Sequence, residues 1–187
     1  MKIIVSCHCD TVFRSDVAYM RYKGGILRGA LDNFASMLAA SLLISNVPDA
    51  EVEFTEDEEN SMDGARQLAR ANNNKDTMFI VMDVTADGRG KEFTIENVHR
   101  VRIKEVHEAL KELKGKYKVV SRGTESEAWL YKDMGFATIE VDIPARGGLH
   151  SLDCATDFYR LKTAARAIEL IIGYFKDKPV IDVEEPT

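Results

Sequence analysis

Residues 2–12 read KIIVSCHCDTV. The run Lys2–Cys7 is rich in Ile and Val, which is typical of a buried β-strand. It passes without a turn residue into polar chemistry at His8 and Asp10. Because side chains alternate faces along an extended chain, His8 and Asp10 point to the same side. The stretch therefore predicts a buried strand whose carboxyl end carries a polar site.

Strand-like and helix-like segments alternate along the rest of the chain. The further predicted strands are Val52–Thr55, Met78–Met82, Lys118–Ser121 and Ala137–Val141, with a short hairpin of Tyr19–Tyr22 and Ile26–Arg28 turning at Gly24-Gly25. The predicted helices are Asn33–Ser45, Ser61–Ala71, Val101–Leu113, Ser126–Asp133 and Asp157–Phe175, the last capped by Thr156. Such alternation predicts an α/β fold, a three-layer α/β/α sandwich around a mostly parallel, mixed sheet.

The bulk composition bounds the class of protein. A chain of 187 residues suits a single catalytic domain over residues 1–187, in which residues 182–187 form a frayed tail. The net charge of -6 and the scattered Lys and Arg argue against nucleic acid as a partner. No apolar run is long enough for a membrane span, and the N-terminus lacks the apolar segment of a signal peptide. Cys7 and Cys9 are too close to suggest a disulfide framework, so we expect reduced thiols and a cytoplasmic protein.

Polar residues that could act together follow several predicted strands. Strand Val52–Thr55 runs into an acidic stretch that contains Glu58 and Glu59, and strand Met78–Met82 ends at Asp83. The loop after Ala137–Val141 presents His150, and Asp32 precedes the first helix. Because the sites of layered α/β folds lie at the carboxyl ends of their strands, we expect these side chains to converge.

Each residue alone has a simpler interpretation. His8 could be a buried histidine beside two thiols, and Asp32 an ordinary helix N-cap. The acids around Glu58 could form a solvated loop. A Cys-His-Cys metal site at residues 7–9 is a further alternative, but the chain offers no partner ligand beyond Cys154 in a suitable pattern.

Together these residues predict a metal centre. Two imidazoles and three carboxylates form the mixed nitrogen and oxygen set that zinc and similar divalent ions accept. An Asp shared between two ions is a usual way to hold them ~3.5–4 Å apart. Asp10 can accept the second ring N–H of His8, which leaves the other nitrogen free to bind a metal. In the acidic stretch, one of two adjacent carboxylates can bind the metal while the other takes a proton from water.

The motifs resemble those of a known group of enzymes, the co-catalytic two-metal (zinc-type) exopeptidase clan. The resemblance rests on HCDTV, LDN, DEENSMDGAR, MDVTAD and LHS, and it spans about His8 to Ile171. The segments DVT, GTES and IPARGGLHS look most similar to the glutamyl and tetrahedral aminopeptidase branch. The clan also contains leucyl aminopeptidases, carboxypeptidases and acetylornithine-type deacylases.

The resemblance implies a role for each candidate residue. His8, Asp32 and Asp83 would hold one divalent ion, and Asp32, Glu59 and His150 the other. Glu58 would be the general base and Asp10 the acid behind His8. The ions would be zinc, with cobalt or manganese as alternatives, and an Asp at the position of Asp83 goes with aminopeptidases. The carboxylates of Glu125 and Asp87 are candidates for contacting the α-amine of a peptide.

Relatives in this clan usually carry a lid or dimerisation domain between the His-x-Asp strand and the shared Asp. Here only about twenty residues separate Asp10 from Asp32, so we expect that domain to be absent. A homo-oligomer is expected from the resemblance to the clan alone. The expected activity is that of an aminopeptidase acting on a peptide or small amide substrate. A deacylase for small N-acyl compounds and a catalytically inactive scaffold are the alternatives.

Overall fold

The computed structural model describes residues 1–13, 19–47, 50–74, 76–86, 90–121, 123 and 125–179. Its strands are β1 (Lys2–His8), β2 (Met20–Lys23), β3 (Ile26–Gly29), β4 (Glu51–Thr55), β5 (Thr77–Thr85), β6 (Phe93–His99), β7 (Tyr117–Val119), β8 (Ala137–Pro144) and β9 (Ala155–Asp157). Its helices are α1 (Phe34–Asn46), α2 (Asp63–Ala71), α3 (Ile103–Ala109), α4 (Glu127–Asp133) and α5 (Phe158–Phe175), and a short 3-10 turn covers Lys111–Leu113.

Within these ranges the main sheet has six strands in the order β4-β1-β5-β8-β6-β7. Strands β4, β1, β5 and β8 are parallel, whereas β6 runs antiparallel to β8 and parallel to β7. A second sheet of β2, β3 and β9 is antiparallel. The mixed, mostly parallel sheet with flanking helices confirms the predicted α/β class.

Each face of the main sheet buries a different set of side chains. Alternate residues of β5 such as Ile80 and Met82 pack with α1 and α5 in the larger core. The intervening residues Phe79 and Val81 pack against the short helices α2 and α4, where the Phe79 ring stacks on Tyr131 at 3.9 Å between centroids. Since Asp83 continues the alternation of Phe79 and Val81, it lies on the α2–α4 face.

Most predicted elements are present, with differences at their ends. In place of the predicted helix Val101–Leu113, the structure has the shorter α3 followed by the 3-10 turn. The predicted strand Lys118–Ser121 corresponds to β7, which ends two residues before the predicted end. The proposed cap Thr156 is wrong: Asp157 occupies the N-cap of α5, and the Thr156 hydroxyl donates instead to the Pro144 carbonyl at 2.7 Å. Strands β6 and β9 were not predicted.

Among the described residues, no helix combines the length and the apolarity that crossing a bilayer requires. The predicted tail 182–187 lies outside the described residues. The segment between Asp10 and Asp32 contains the β2–β3 hairpin, turning at Gly24 and Gly25 with φ of 59° and 83°.

Candidate metal centre

The five predicted ligands lie on five different segments that meet at the carboxyl ends of the parallel strands of the main sheet. His8 is the last residue of β1, and Asp83 lies near the end of the neighbouring β5. Asp32 precedes α1, while Glu59 and His150 belong to the loops that follow β4 and β8. Parallel strands bring these carboxyl ends together, as the sequence pattern predicts.

The first group of three side chains centres on the buried ring of His8. Its Nε2 lies 3.4 Å from Asp32 Oδ1 and 3.4 Å from Asp83 Oδ1. His8 is 2% exposed and Asp32 is 7% exposed, so this group is closed off from solvent on most sides.

The second group shares Asp32 and opens toward solvent. His150 Nε2 lies 3.3 Å from Asp32 Oδ2 and 3.5 Å from Glu59 Oε2. The His150 side chain is 55% exposed, whereas Glu59 is mostly buried. Asp32 thus presents one oxygen to each group, the arrangement expected of a carboxylate that bridges two ions.

These separations fit divalent metal ions. Two ligand atoms bound ~2.1 Å from a tetrahedral ion lie ~3.4 Å apart, close to all four distances above. Three atoms of these side chains, His8 Nε2, Asp32 Oδ1 and Glu59 Oε1, are buried and make no hydrogen bond of good geometry with any described residue. Buried polar atoms normally have partners, so orphaned ligand atoms in this position indicate a site built for cations.

The electrostatics of the group also require positive charge. Burial lowers the pKa of His8, but its contacts with Asp32 and Asp83 outweigh burial and raise the pKa to about 12. Burial raises the pKa of Asp83, and burial together with Asp32 raises the pKa of Glu59. In the metal-free protein a proton on His8 therefore partly substitutes for the cations that the carboxylates attract.

Glu58 lies beside the ligands without belonging to either group. Its Oε2 is 3.9 Å from His8 Nε2, and its side chain is 12% exposed. Burial, with Asp83, Glu59 and Asp32 nearby, raises the pKa of Glu58 to about 8, although His8 acts in the opposite direction. Glu58 is therefore a mostly buried carboxylate of raised pKa beside the first group of ligands.

Asp10 makes more contacts than the sequence predicts. Its Oδ1 lies 3.3 Å from His8 Nδ1, consistent with the predicted partner behind the imidazole. Its two oxygens also accept the backbone N–H groups of Glu58 and Glu59, each at 3.2 Å. One carboxylate therefore orients a ligand on β1 and holds the loop that carries Glu58 and Glu59.

The loop after β4 is shaped by backbone contacts. The Asp57 carbonyl accepts three N–H groups from residues 60–62, and Asp57 itself has a φ of 69°. At the start of α2, Gly64 lies so close to Glu56 that an added Cβ would be 2.5 Å from the Glu56 carbonyl oxygen. The turn and the close approach of α2 together set where Glu58 and Glu59 point.

Buried polar residues of α4, β1 and β4 form a hydrogen-bond network next to the site. Glu127 of α4 is 1% exposed, and it accepts hydrogen bonds from the hydroxyls of Ser6 on β1 and Thr55 on β4. The Tyr131 hydroxyl joins the Ser6 hydroxyl at 2.8 Å. This network ties α4 to the two strands that end at His8 and at the acidic loop, and no sequence motif singled it out.

Two carboxylates, Asp87 and Glu125, are predicted to contact the α-amine of a substrate. Asp87 lies outside the described residues. Glu125 is exposed just before α4. Arg146 approaches Asp157 at 3.5 Å and pairs its backbone with Ala155, so it braces the loop of His150.

The peptide bond between Asp32 and Asn33 is cis, and the Asn33 amide donates to the Met82 carbonyl at 2.9 Å beside Asp83.

Several solved structures share this fold. The TET1 peptidase of Pyrococcus horikoshii, which can assemble into a tetrahedron or a large octahedral shell, matches with a TM-score of 0.65 and 18% identity over 89% of this chain and 53% of its own. Aminopeptidase PepT from Bacillus cereus matches with a TM-score of 0.69 and 12% identity over 92% of this chain and 80% of its own. An M18-family aminopeptidase from Thermotoga maritima matches with a TM-score of 0.60 and 16% identity over 80% of this chain and 48% of its own.

At these identities the likeness shows the fold, and it agrees with the predicted resemblance to tetrahedral aminopeptidases. The chain spans about half the length of the TET1 peptidase, at 53%. A comparison with curated proteins gives no match. The sequence profile of peptidase family M28 matches residues 1–168, which confirms the resemblance to metallo-exopeptidases and implies divalent metal cofactors. The match covers most of the 187 residues, and the chain therefore belongs to peptidase family M28.

Proposed function

We propose that the protein is a two-metal-dependent exopeptidase, an aminopeptidase in which Glu58 is the general base. The observation that carries the proposal is the pair of ligand groups that share Asp32, with Glu58 beside them and outside both. His8, Asp32 and Asp83 would hold one ion, and Asp32, Glu59 and His150 the other. Zinc suits this donor set, and cobalt or manganese are the alternatives.

Two bound divalent ions would supply a water of lowered pKa and polarise the carbonyl of the scissile bond. Glu58 would take the proton of the attacking water at its carboxylate and pass it to the nitrogen of the leaving amine. Asp10 would keep Nε2 of His8 free for metal by holding the proton of His8 at Nδ1. It would also fix the backbone of Glu58, so that the base cannot drift from the reacting water.

The charge of the site favours a substrate with a free amino terminus. Five carboxylates lie at the centre (Asp10, Asp32, Glu58, Glu59 and Asp83). In the state in which Glu58 is ionised and can act as a base they carry -5, and two divalent ions would add +4, leaving -1. A residual negative charge attracts an α-ammonium group and repels the carboxylate of an N-acyl amino acid. Arg146, which could have bound such a carboxylate, already contacts Asp157. These features favour an aminopeptidase over a deacylase.

The variant Glu58→Gln tests the assignment of the base. We expect kcat to fall by ~10²–10⁴-fold on an aminoacyl substrate, because Gln cannot accept the proton. Metal content should stay that of the wild type, since Glu58 belongs to neither ligand group. Glu56→Gln is the matched control: it removes an exposed acid from the same loop and should keep full activity. A metal-loaded Glu58→Gln enzyme with wild-type kcat would refute the assignment.

A panel of aminoacyl and N-acyl substrates distinguishes the aminopeptidase from the deacylase. We expect hydrolysis of aminoacyl amides and none of N-acetylated amino acids. The reverse pattern would favour the deacylase. Metal analysis tests the inactive scaffold, because a purified protein that holds no divalent ion and takes none up cannot work by this mechanism.

We also propose a cytoplasmic protein that acts as a homo-oligomer. The thiols of Cys7, Cys9 and Cys154 are all free, as expected in a reducing compartment. Strand β2 is an edge strand with exposed residues, including Tyr22 at 61%, and a second copy could pair with this edge. Sedimentation of the purified protein tests the assembly, and a monomer at micromolar concentration would contradict it.

A further inference from the structure

A further group of acids lies inside the protein next to the metal centre, because its member Asp142 is the register partner of Asp83. Glu96 of β6 and Glu140 and Asp142 of β8 are 2%, 0% and 1% exposed. One oxygen from each lies within 4.8 Å of the others. The antiparallel register explains the grouping, because Glu96 pairs with Glu140 and Thr94 pairs with Asp142 on the same face. None of these residues belongs to the two ligand groups that share Asp32.

Two oxygens of this acid cluster (Glu96, Glu140 and Asp142) are buried without a hydrogen-bond partner. They are Glu140 Oε1 and Asp142 Oδ1. The second oxygens are satisfied: the Asn97 amide donates to Glu140 Oε2, and the Thr94 hydroxyl donates to Asp142 Oδ2 at 3.0 Å. The Ser126 hydroxyl also lies close enough to Glu140 to lower the pKa of that acid. Each of the two side chains is held by one oxygen, and its other oxygen makes no hydrogen bond of good geometry with a described residue.

Among the described residues, the charged groups that act on these oxygens are carboxylates. Burial raises the pKa of Asp142 well above its usual range, and Glu140, Glu96 and Asp83 raise it further. Burial raises the pKa of Glu140 to about 8, with Asp83 acting in the same direction. Among the described residues, the uncharged hydroxyl of Thr94 lowers the pKa of Asp142. Buried carboxylates are stable only when a cation, a proton or sufficient donors neutralise them.

We propose that Glu96, Glu140 and Asp142 bind a third cation, a hard divalent ion of the Ca²⁺ or Mg²⁺ type, in a site separate from the catalytic pair. The cation would occupy the space between Glu140 Oε1 and Asp142 Oδ1 and join β6 to β8 below α4. Its role would be structural. Through Asp142, which is the register partner of Asp83, it would also stiffen the strand that carries a catalytic ligand.

The donor set decides the kind of ion. All three side chains offer carboxylate oxygen, and neither His nor Cys belongs to the cluster. Ca²⁺ and Mg²⁺ take oxygen ligands, whereas zinc in structural sites prefers nitrogen and sulfur.

Metal stoichiometry tests the proposal directly. Because the cluster is almost wholly buried, the protein should be unfolded in denaturant with a chelator, refolded with zinc and with either CaCl₂ or MgCl₂, and then desalted. Elemental analysis should find one equivalent of calcium or magnesium per chain in addition to zinc. We expect Glu140→Gln and Glu96→Gln to bind this ion at least tenfold more weakly. Glu92→Gln, an acid that precedes β6 and instead contacts Thr163 and Lys116, should bind it normally.

Thermal unfolding separates this site from the catalytic one. With zinc present, added CaCl₂ or MgCl₂ should raise the midpoint of the wild type by several degrees, since the ion binds only the folded state. The rise should persist in His150→Ala, which damages the catalytic pair, and should vanish in Glu140→Gln. The proposed peptidase activity can fail without affecting this result.

Two results would overturn the proposal. One is a refolded wild type that holds no calcium or magnesium and whose midpoint neither ion shifts, which would mean that protons neutralise the acids. The other is a shift that disappears in His150→Ala, which would place the ion in the catalytic centre. The wild-type measurements decide the matter even if the Glu140 and Glu96 variants do not fold.

Discussion

Asp10 links a proposed metal ligand to the proposed base, because its carboxylate contacts His8 and also the backbone of Glu58 and Glu59. In Asp10→Asn the side chain has only one oxygen, so it cannot hold both the ring and the two amides. We expect metal affinity to fall by ~10–100-fold, as is typical for residues that orient metal ligands. We also expect kcat to fall with saturating metal, because the loop of Glu58 is released. Competition with a chelator and steady-state kinetics measure the two effects.

Asp63→Asn is the control for Asp10→Asn. Asp63 lies at the start of α2 with an exposed side chain, and its ion pair with Arg66 is 3.8 Å long. The control should leave metal affinity and kcat unchanged, since exposed ion pairs contribute little. If Asp10→Asn lowered metal affinity but kept full kcat with saturating metal, the contacts with Glu58 and Glu59 would have no catalytic role.

Among the elements, the junction of the β4 loop and α2 depends on a glycine. A Cβ on Gly64 would lie 2.5 Å from the carbonyl oxygen and 2.6 Å from the nitrogen of Glu56, so Gly64→Ala must displace one backbone from the other. We expect a loss of stability of ~1–3 kcal/mol, the usual cost of overpacking. We also expect weaker metal binding, because the displaced loop carries Glu59. Chemical denaturation and metal titration test both.

Gly173→Ala provides the comparison. Gly173 lies within α5, and an added Cβ there would meet nothing within 4 Å. The same substitution should stabilise the protein by ~0.5–1 kcal/mol, because Ala loses less backbone entropy in a helix. If both variants had the same effect on stability, the close approach at Gly64 would not constrain the loop.

The elements that were not predicted show what a single sequence hides. In strand β6 the polar residues Thr94 and Glu96 alternate with Phe93 and Ile95 but are buried as well, so the acid cluster lies on a face that the pattern assigns to solvent. Strand β9 has only three residues, too few to give a pattern. By contrast, β1 and β5 are long apolar runs, and their ends could be predicted within a few residues.

For the whole molecule, the meeting of the proposed metal ligands followed from topology. Residues far apart in sequence, such as His8 and His150, could be expected to meet because parallel strands end at a common edge. The contacts of Asp10 with the acidic loop, and the support from Glu127, could not be predicted, because they depend on how loops and α4 pack. The acid cluster was also hidden, since it needs the antiparallel pairing of β6 with β8.

The same topology couples metal binding to the stability of the whole fold. The five ligands come from five segments, so bound ions would cross-link β1, β5 and three loops in the folded state only. An ion at 100 times its dissociation constant stabilises the fold by ~2.7 kcal/mol. For a domain of this size we therefore expect chelation to lower the unfolding midpoint by ~5–10 °C. Calorimetry of metal-loaded and chelated protein at neutral pH measures this.

The metal-free protein should in addition become less stable as pH rises. Folding raises the pKa of His8 from 6.5 to about 12, so the stability from its contacts is present below pH 6.5 and is lost progressively above it. Folding raises the pKa of Glu140 from 4.5 to about 8, so its contribution is lost between those values. Both act in the same direction, at about 1.4 kcal/mol per pH unit for each group while it titrates.

Denaturation of the chelated protein at pH 5, 7 and 9 tests this dependence, with the metal-loaded protein as the control. Bound cations replace the protons that His8 and the acids would otherwise keep, so the loaded protein should depend much less on pH over this range. Glu140→Gln, whose amide resembles the neutral acid in shape, should reduce the dependence of the chelated protein between pH 5 and 8. A chelated wild type that is more stable at pH 9 than at pH 5 would contradict the conclusion that His8 and Glu140 are buried and protonated in the folded protein.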